Sequence, residues 1–78
     1  MQGRPRRSDS DLDLHAVGKR IRLLRGDATQ EEFAAAFNIS QAQLSKYELG
    51  QSALPLGLLV RLAEGVGRTA DWILTGKE

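Results

Sequence analysis

Gln41, Ala42, Gln43, Ser45 and Lys46 fall in one short run, interrupted by Leu44 and followed by Tyr47. A glutamine amide can pair with both hydrogen-bonding groups on an adenine edge, and a serine hydroxyl can donate or accept at a base. Lysine can reach guanine or phosphate, and an alanine methyl can touch that of thymine. On an isolated helix the same side chains would read as an ordinary solvated face. Other chemistries find less support. His15 is the single histidine and there is no cysteine, so a nucleophile with a base in hydrogen-bond reach is not expected, and neither is a thiolate metal site. Asp9, Asp11 and Asp13 alternate as in a calcium loop, but Leu14 stands where that loop needs glycine and Arg20 where it needs glutamate. We expect no metal, no cofactor, no small-molecule ligand and no enzymatic activity.

The elements that must position this run can be read on either side of it. Thr29 offers a side-chain oxygen as N-cap, Glu31 and Glu32 suit the first turn, and Glu32 completes a capping box with Thr29. Phe33 and Phe37 face inward at four-residue spacing with alanines between them. Asn38 tolerates a left-handed backbone, Ile39 turns back to the core, and Ser40 caps the next helix, which is expected to stop at Gly50. The unit QEEFAAAFNISQAQLSKYE, from Gln30 to Glu48, therefore predicts two short helices joined by a tight turn. A small residue, Ala34, stands where they approach most closely, and Phe33, Phe37, Ile39, Leu44 and Tyr47 clamp the crossing. That is a helix-turn-helix, a DNA-binding unit whose second helix enters the major groove.

Around the unit the pattern predicts three more helices and no strand. Leu14, Val17, Ile21 and Leu24 recur at helical spacing before Gly26 and Asp27. Pro55 suits the first turn of a fourth helix with Leu56, Leu59, Leu62, Ala63 and Val66 as its apolar face, closed by Gly67. Thr69 caps a last helix holding Trp72, Ile73 and Leu74, ended by Gly76. Residues 1–13, which hold Gly, Pro, Ser, three Arg and three Asp with Leu12 as the only branched aliphatic residue, cannot bury enough apolar surface to offset ordering entropy and are expected to form a flexible arm, with residues 14–78 as the domain. Arg4, Arg6 and Arg7 in that arm read either as a plain tail or as cations that lie along phosphates or a groove.

The whole chain has 78 residues, enough for one domain, and such a domain buries only about 60% of its unfolded surface. The net charge of +1 says little about partners, but the clustering of Lys19, Arg20, Arg22 and Arg25 is more informative. The apolar stretch Leu54 to Val66 is interrupted by Pro55, Gly57, Arg61 and Glu64, and so falls short of the roughly 20 apolar residues that span a bilayer. The basic start meets Ser8, Asp9, Asp11 and Asp13 rather than an apolar run, so no secretory signal is expected.

The stretch from Val17 to Gly76 resembles the Cro and phage-repressor type helix-turn-helix family, also called XRE-like. The resemblance is carried by RIRLLR at 20–25, TQEEFA at 29–34, ISQAQLSKYELG at 39–50, LAEGVG at 62–67 and DWILTG at 71–76, in that order. It departs from the family pattern in a shorter connection between Arg25 and Thr29, Asn38 in place of a turn glycine, and Pro55 one place late.

The resemblance implies an all-α, five-helix, lambda-repressor-like domain that binds a near-palindromic double-stranded DNA operator as a homodimer through its C-terminal helices. It implies a transcriptional regulator, usually a repressor, of bacterial or phage origin, cytoplasmic and nucleoid-associated, with no membrane partner. By the same likeness Gln30 meets the DNA backbone, Gln41, Ala42 and Lys46 face bases, Ser40, Gln43 and Ser45 contact phosphate or neighbouring bases, and Gln51 contacts phosphate. Arg25 and Glu48 would form a structural ion pair, and Trp72 and Leu74 would be core or lie partly exposed at a dimer seam. The same fold could instead serve as a protein-interaction or antitoxin-like regulatory module.

Overall fold

A computed structural model describes residues 13–77, and these form five helices and no strand. The expected arm falls outside the described residues except for Asp13, which belongs to the first helix: its carboxylate accepts the Ala16 N–H at 3.1 Å as N-cap. The helices are α1 (Leu14–Arg25), α2 (Gln30–Ala36), α3 (Gln41–Glu48), α4 (Leu56–Val66) and α5 (Ala70–Thr75). Helix α1 lies across both α3 and α5, α2 packs on α3, and α4 packs on α5.

The core draws on every helix: Val17 and Ile21 from α1, Phe33 and Ala34 from α2, Leu44 and Tyr47 from α3, Leu58, Leu59 and Leu62 from α4, and Ile73 from α5. Ile21, Leu44 and Ile73 are enclosed completely, and each such side chain contributes about 1.5–3 kcal/mol on leaving water. Leu44 matters most for the face described below, because it fixes the rotation of α3 about its own axis. A closer constraint comes from Gly18, buried in α1. A β-carbon there would overlap the Glu48 carbonyl oxygen and come within 2.6 Å of that of Tyr47, so only glycine lets α1 approach the end of α3.

Arg20 reaches from α1 to the other end of the fold, where Nη1 donates to the Ile73 carbonyl at 3.0 Å. Arg61 of α4 similarly donates to the Phe37 carbonyl at 3.2 Å and so ties α4 to the end of α2. These two cations satisfy backbone acceptors near helix C-termini, where positive charge is favoured.

The start of α4 differs from the sequence expectation. Pro55 is the N-cap, with ψ 148°, and Leu56 is the first helical residue. The buried stripe is Leu58, Leu59 and Leu62. Leu56, two residues before Leu58, is turned about 200° from it around the axis and is 77% exposed. Val60, one turn on from Leu56, is also exposed, so α4 carries a second, outward apolar edge.

Candidate nucleic-acid interface

The crossing of α2 and α3 is set by local chemistry. Thr29 Oγ1 accepts the Glu32 N–H at 3.0 Å and the Glu32 carboxylate accepts the Thr29 N–H at 3.0 Å, which closes the expected capping box. Helix α2 ends at Ala36 with Phe37 as its C-cap, and Asn38 then takes φ 62°, the left-handed conformation that glycine would otherwise supply. The Ile39 N–H returns to the Ala34 carbonyl at 3.0 Å. Phe37 lies only half in the core, its ring centroid 4.9 Å from that of Phe33. Ala34 is buried at the crossing, as its small size requires.

Ser40 starts α3 with a second capping box. Its hydroxyl accepts the Gln43 N–H at 3.0 Å, and Gln43 Oε1 accepts the Ser40 N–H at 2.9 Å. Sequence reasoning assigned Ser40 as a cap but missed the part played by Gln43. The signal was present, because serine followed three residues later by glutamine is the signature of such a box. Gln43 is thus exposed with its acceptor oxygen engaged by backbone, leaving its amide protons outward.

With Leu44 and Tyr47 inward, helical geometry places Gln41, Ala42, Ser45 and Lys46 within about 140° of arc on the opposite side. Gln41, Ala42 and Lys46 are exposed and Ser45 is half-buried. Gln51 stands exposed beyond the helix, held by a tight reversal in which its N–H bonds the Lys46 carbonyl at 2.8 Å and the Gly50 N–H bonds that of Tyr47 at 3.1 Å.

Behind this face lies the Arg25 and Glu48 pair. Arg25 Nε donates to one Glu48 oxygen at 2.7 Å and Nη2 to the other at 3.1 Å, with the Glu48 side chain only 4% exposed. The hydrogen bond to Glu48, with the attraction of its charge, raises the Arg25 guanidinium above its ordinary range against the opposing effect of burial. Arg25 Nη1 also donates to the Ala28 carbonyl at 2.8 Å, so the same side chain holds the short connection to α2.

Gln30, expected from the resemblance to meet the DNA backbone, is half-buried as the first residue of α2, where its Nε2 donates to Glu48 Oε1 at 2.9 Å and its Oε1 accepts Gln41 Nε2 at 2.8 Å. A continuous chain of polar contacts thus runs from Arg25 through Glu48 and Gln30 to Gln41. The sequence displayed each residue type but not this connection, which depends on how closely the helix starts approach one another.

At the other end, Trp72 and Leu74 are half-buried against the core, and the Arg68 guanidinium lies 4.0 Å from the Trp72 ring centroid. Among the described residues no helix is long and apolar enough to cross a membrane, and no group of His, Cys, Asp and Glu could hold a metal.

These features define a five-helix domain of the lambda-repressor-like type, and the chain belongs to the helix-turn-helix family, whose profile matches residues 19–73. It is 32% identical over 65 residues to an uncharacterized HTH-type transcriptional regulator of Rickettsia conorii, covering 80% of this chain and 51% of that protein. The chain therefore spans about half the length of that curated relative. Among solved structures it is similar to the restriction-modification controller protein C.AhdI from Aeromonas hydrophila, with a TM-score of 0.69 and 25% identity over 80% of this chain and 93% of that one. The clp gene regulator ClgR from C. glutamicum gives a TM-score of 0.67 and 28% identity, covering 80% and 83%. The P22 c2 repressor shares the fold, with a TM-score of 0.73 at 22% identity over 78% and 96% of the two chains.

Proposed function

We propose that this protein is a sequence-specific DNA-binding transcriptional regulator, a repressor, that inserts α3 into the major groove of a near-palindromic operator as a homodimer. The observation that carries the proposal is the outward face of α3, where polar and small side chains, Gln41, Ala42 and Lys46, stand exposed opposite a fully buried Leu44. In this reading those three residues meet base edges, where glutamine and lysine supply hydrogen bonds and alanine a methyl contact. Gln30, Ser40 and Gln51 fix position on phosphates, with Gln43 and Ser45 at their margin. The helix-turn-helix family and the likeness to transcriptional regulators support this assignment, as does the P22 c2 repressor, whose structure was solved with a synthetic operator.

The apolar edge formed by Leu56 and Val60 supports pairing of two copies through their C-terminal halves. A two-fold dimer would address half-sites roughly 34 Å apart. No chemical step is part of the function. The same edge also suits a second reading, a protein-interaction or antitoxin-like module. Titration with duplex DNA at low and raised salt separates them, since displaced counterions make DNA binding weaken steeply with salt. Absence of DNA binding at any salt would leave the interaction module as the better account.

A further inference from the structure

We propose that the Glu48 carboxylate fixes the order in which Gln41 presents its donor and acceptor, which makes Glu48 a positioning residue for sequence choice. The proposal rests on the reading of α3 as the base-reading helix. A carboxylate paired with a guanidinium offers acceptors only. Glu48 accepts from Arg25 Nε and Nη2 and, on Oε1, from Gln30 Nε2 at 2.9 Å. Gln30 must therefore turn its nitrogen inward and its oxygen toward Gln41. Gln41 answers with Nε2 at 2.8 Å, leaving its own oxygen and a second amide proton for a ligand.

Both amides are unsymmetrical, so the acceptor-only character of one nearly enclosed carboxylate propagates through two side chains to the surface. The adenine edge in the major groove also has an order, with an N6 donor beside an N7 acceptor. A Gln41 amide held one way matches one orientation of that edge. A residue at position 48 able to donate as well as accept would permit either order.

Two variants test this on the full chain. Glu48→Gln keeps the shape but gives position 48 both kinds of group, and Gln30→Leu cuts the relay while leaving Arg25 and Glu48 paired. Folding is followed by circular dichroism, and preference is measured by enrichment from duplexes randomised at every operator position. In each folded variant the preference at the one base pair facing Gln41 should fall roughly fivefold or more, while the ranking at other positions is kept. A folded Gln30→Leu protein with undiminished preference at that base pair would overturn the relay, even if Glu48→Gln failed to fold.

Enrichment of no sequence by the parent protein would instead refute the DNA-reading role itself. The relay is then read in the free protein by NMR: the side-chain amide protons of Gln41 should exchange more slowly than those of exposed Gln51, and Gln30→Leu should abolish the difference. Equal rates in the parent protein would overturn it.

Discussion

Gln41 Nε2 donates to Gln30 Oε1 across 2.8 Å, so the first residue of α3 is bonded to the first residue of α2. The proposed base-reading and phosphate-positioning side chains are therefore one hydrogen-bonded unit rather than two independent contacts. Their effects on DNA binding should be coupled.

Gln41→Ala should weaken binding to the preferred operator by about 1–3 kcal/mol and erase preference at one base pair. Gln51→Ala, beyond the helix and outside this unit, should weaken all duplexes alike. Affinities for an operator and its single-base variants check both, and identical profiles for the two variants would contradict the division of roles.

Arg25→Ala should destabilise the fold by roughly 3–5 kcal/mol, because it strands the enclosed Glu48 carboxylate and also releases the Ala28 carbonyl. That is a large fraction of the stability of a small domain. Urea denaturation of the parent and variant measures it. A loss below 1 kcal/mol would mean that the pair does not brace the fold.

Two glycines in helices should respond in opposite senses to alanine. Gly18→Ala should cost about 1–3 kcal/mol or more, since the added carbon meets the carbonyls that end α3. At Gly57 the nearest atom to such a carbon is the flexible tip of Arg61 at 4.0 Å, so Gly57→Ala should gain about 0.5–1 kcal/mol from helix propensity. Thermal melts of both variants give the comparison directly.

The Leu56 and Val60 edge should be where two copies meet. Leu56→Lys with Val60→Lys should yield a monomer by sedimentation at concentrations where the parent pairs, and leave the melting temperature of the monomeric fold nearly unchanged because both side chains point outward. A parent protein that remains monomeric at every accessible concentration would remove the dimer from the account.

Most of the fold was legible in the sequence because local signals agreed with one another. Thr29, Ser40 and Thr69 are N-caps as their positions predicted, Asn38 takes the left-handed turn, and Gly67 and Gly76 close their helices. Capping and turn chemistry is decided within a few residues, so it can be read without knowing the fold. The expectation for Leu56 failed because the buried stripe, centred on Leu59 and Leu62, extends to Leu58 rather than to Leu56 on its other side, and helical spacing alone admits either edge. Spacing alone could not supply Gly18 or the Gln30 bond to Glu48. Both depend on how α1, α2 and α3 converge, and residues eighteen or more positions apart carry no periodic signal of their contact.

The most direct test is selection of duplexes from a random pool by the parent protein and by Gln41→Ala in parallel. The parent should enrich a near-palindrome with half-site centres roughly 34 Å apart, and the variant should enrich the same sequence with choice lost at one symmetry-related position. A parent that enriches no sequence, or a variant whose selected sequence is unchanged, would contradict the claim that α3 reads DNA through Gln41.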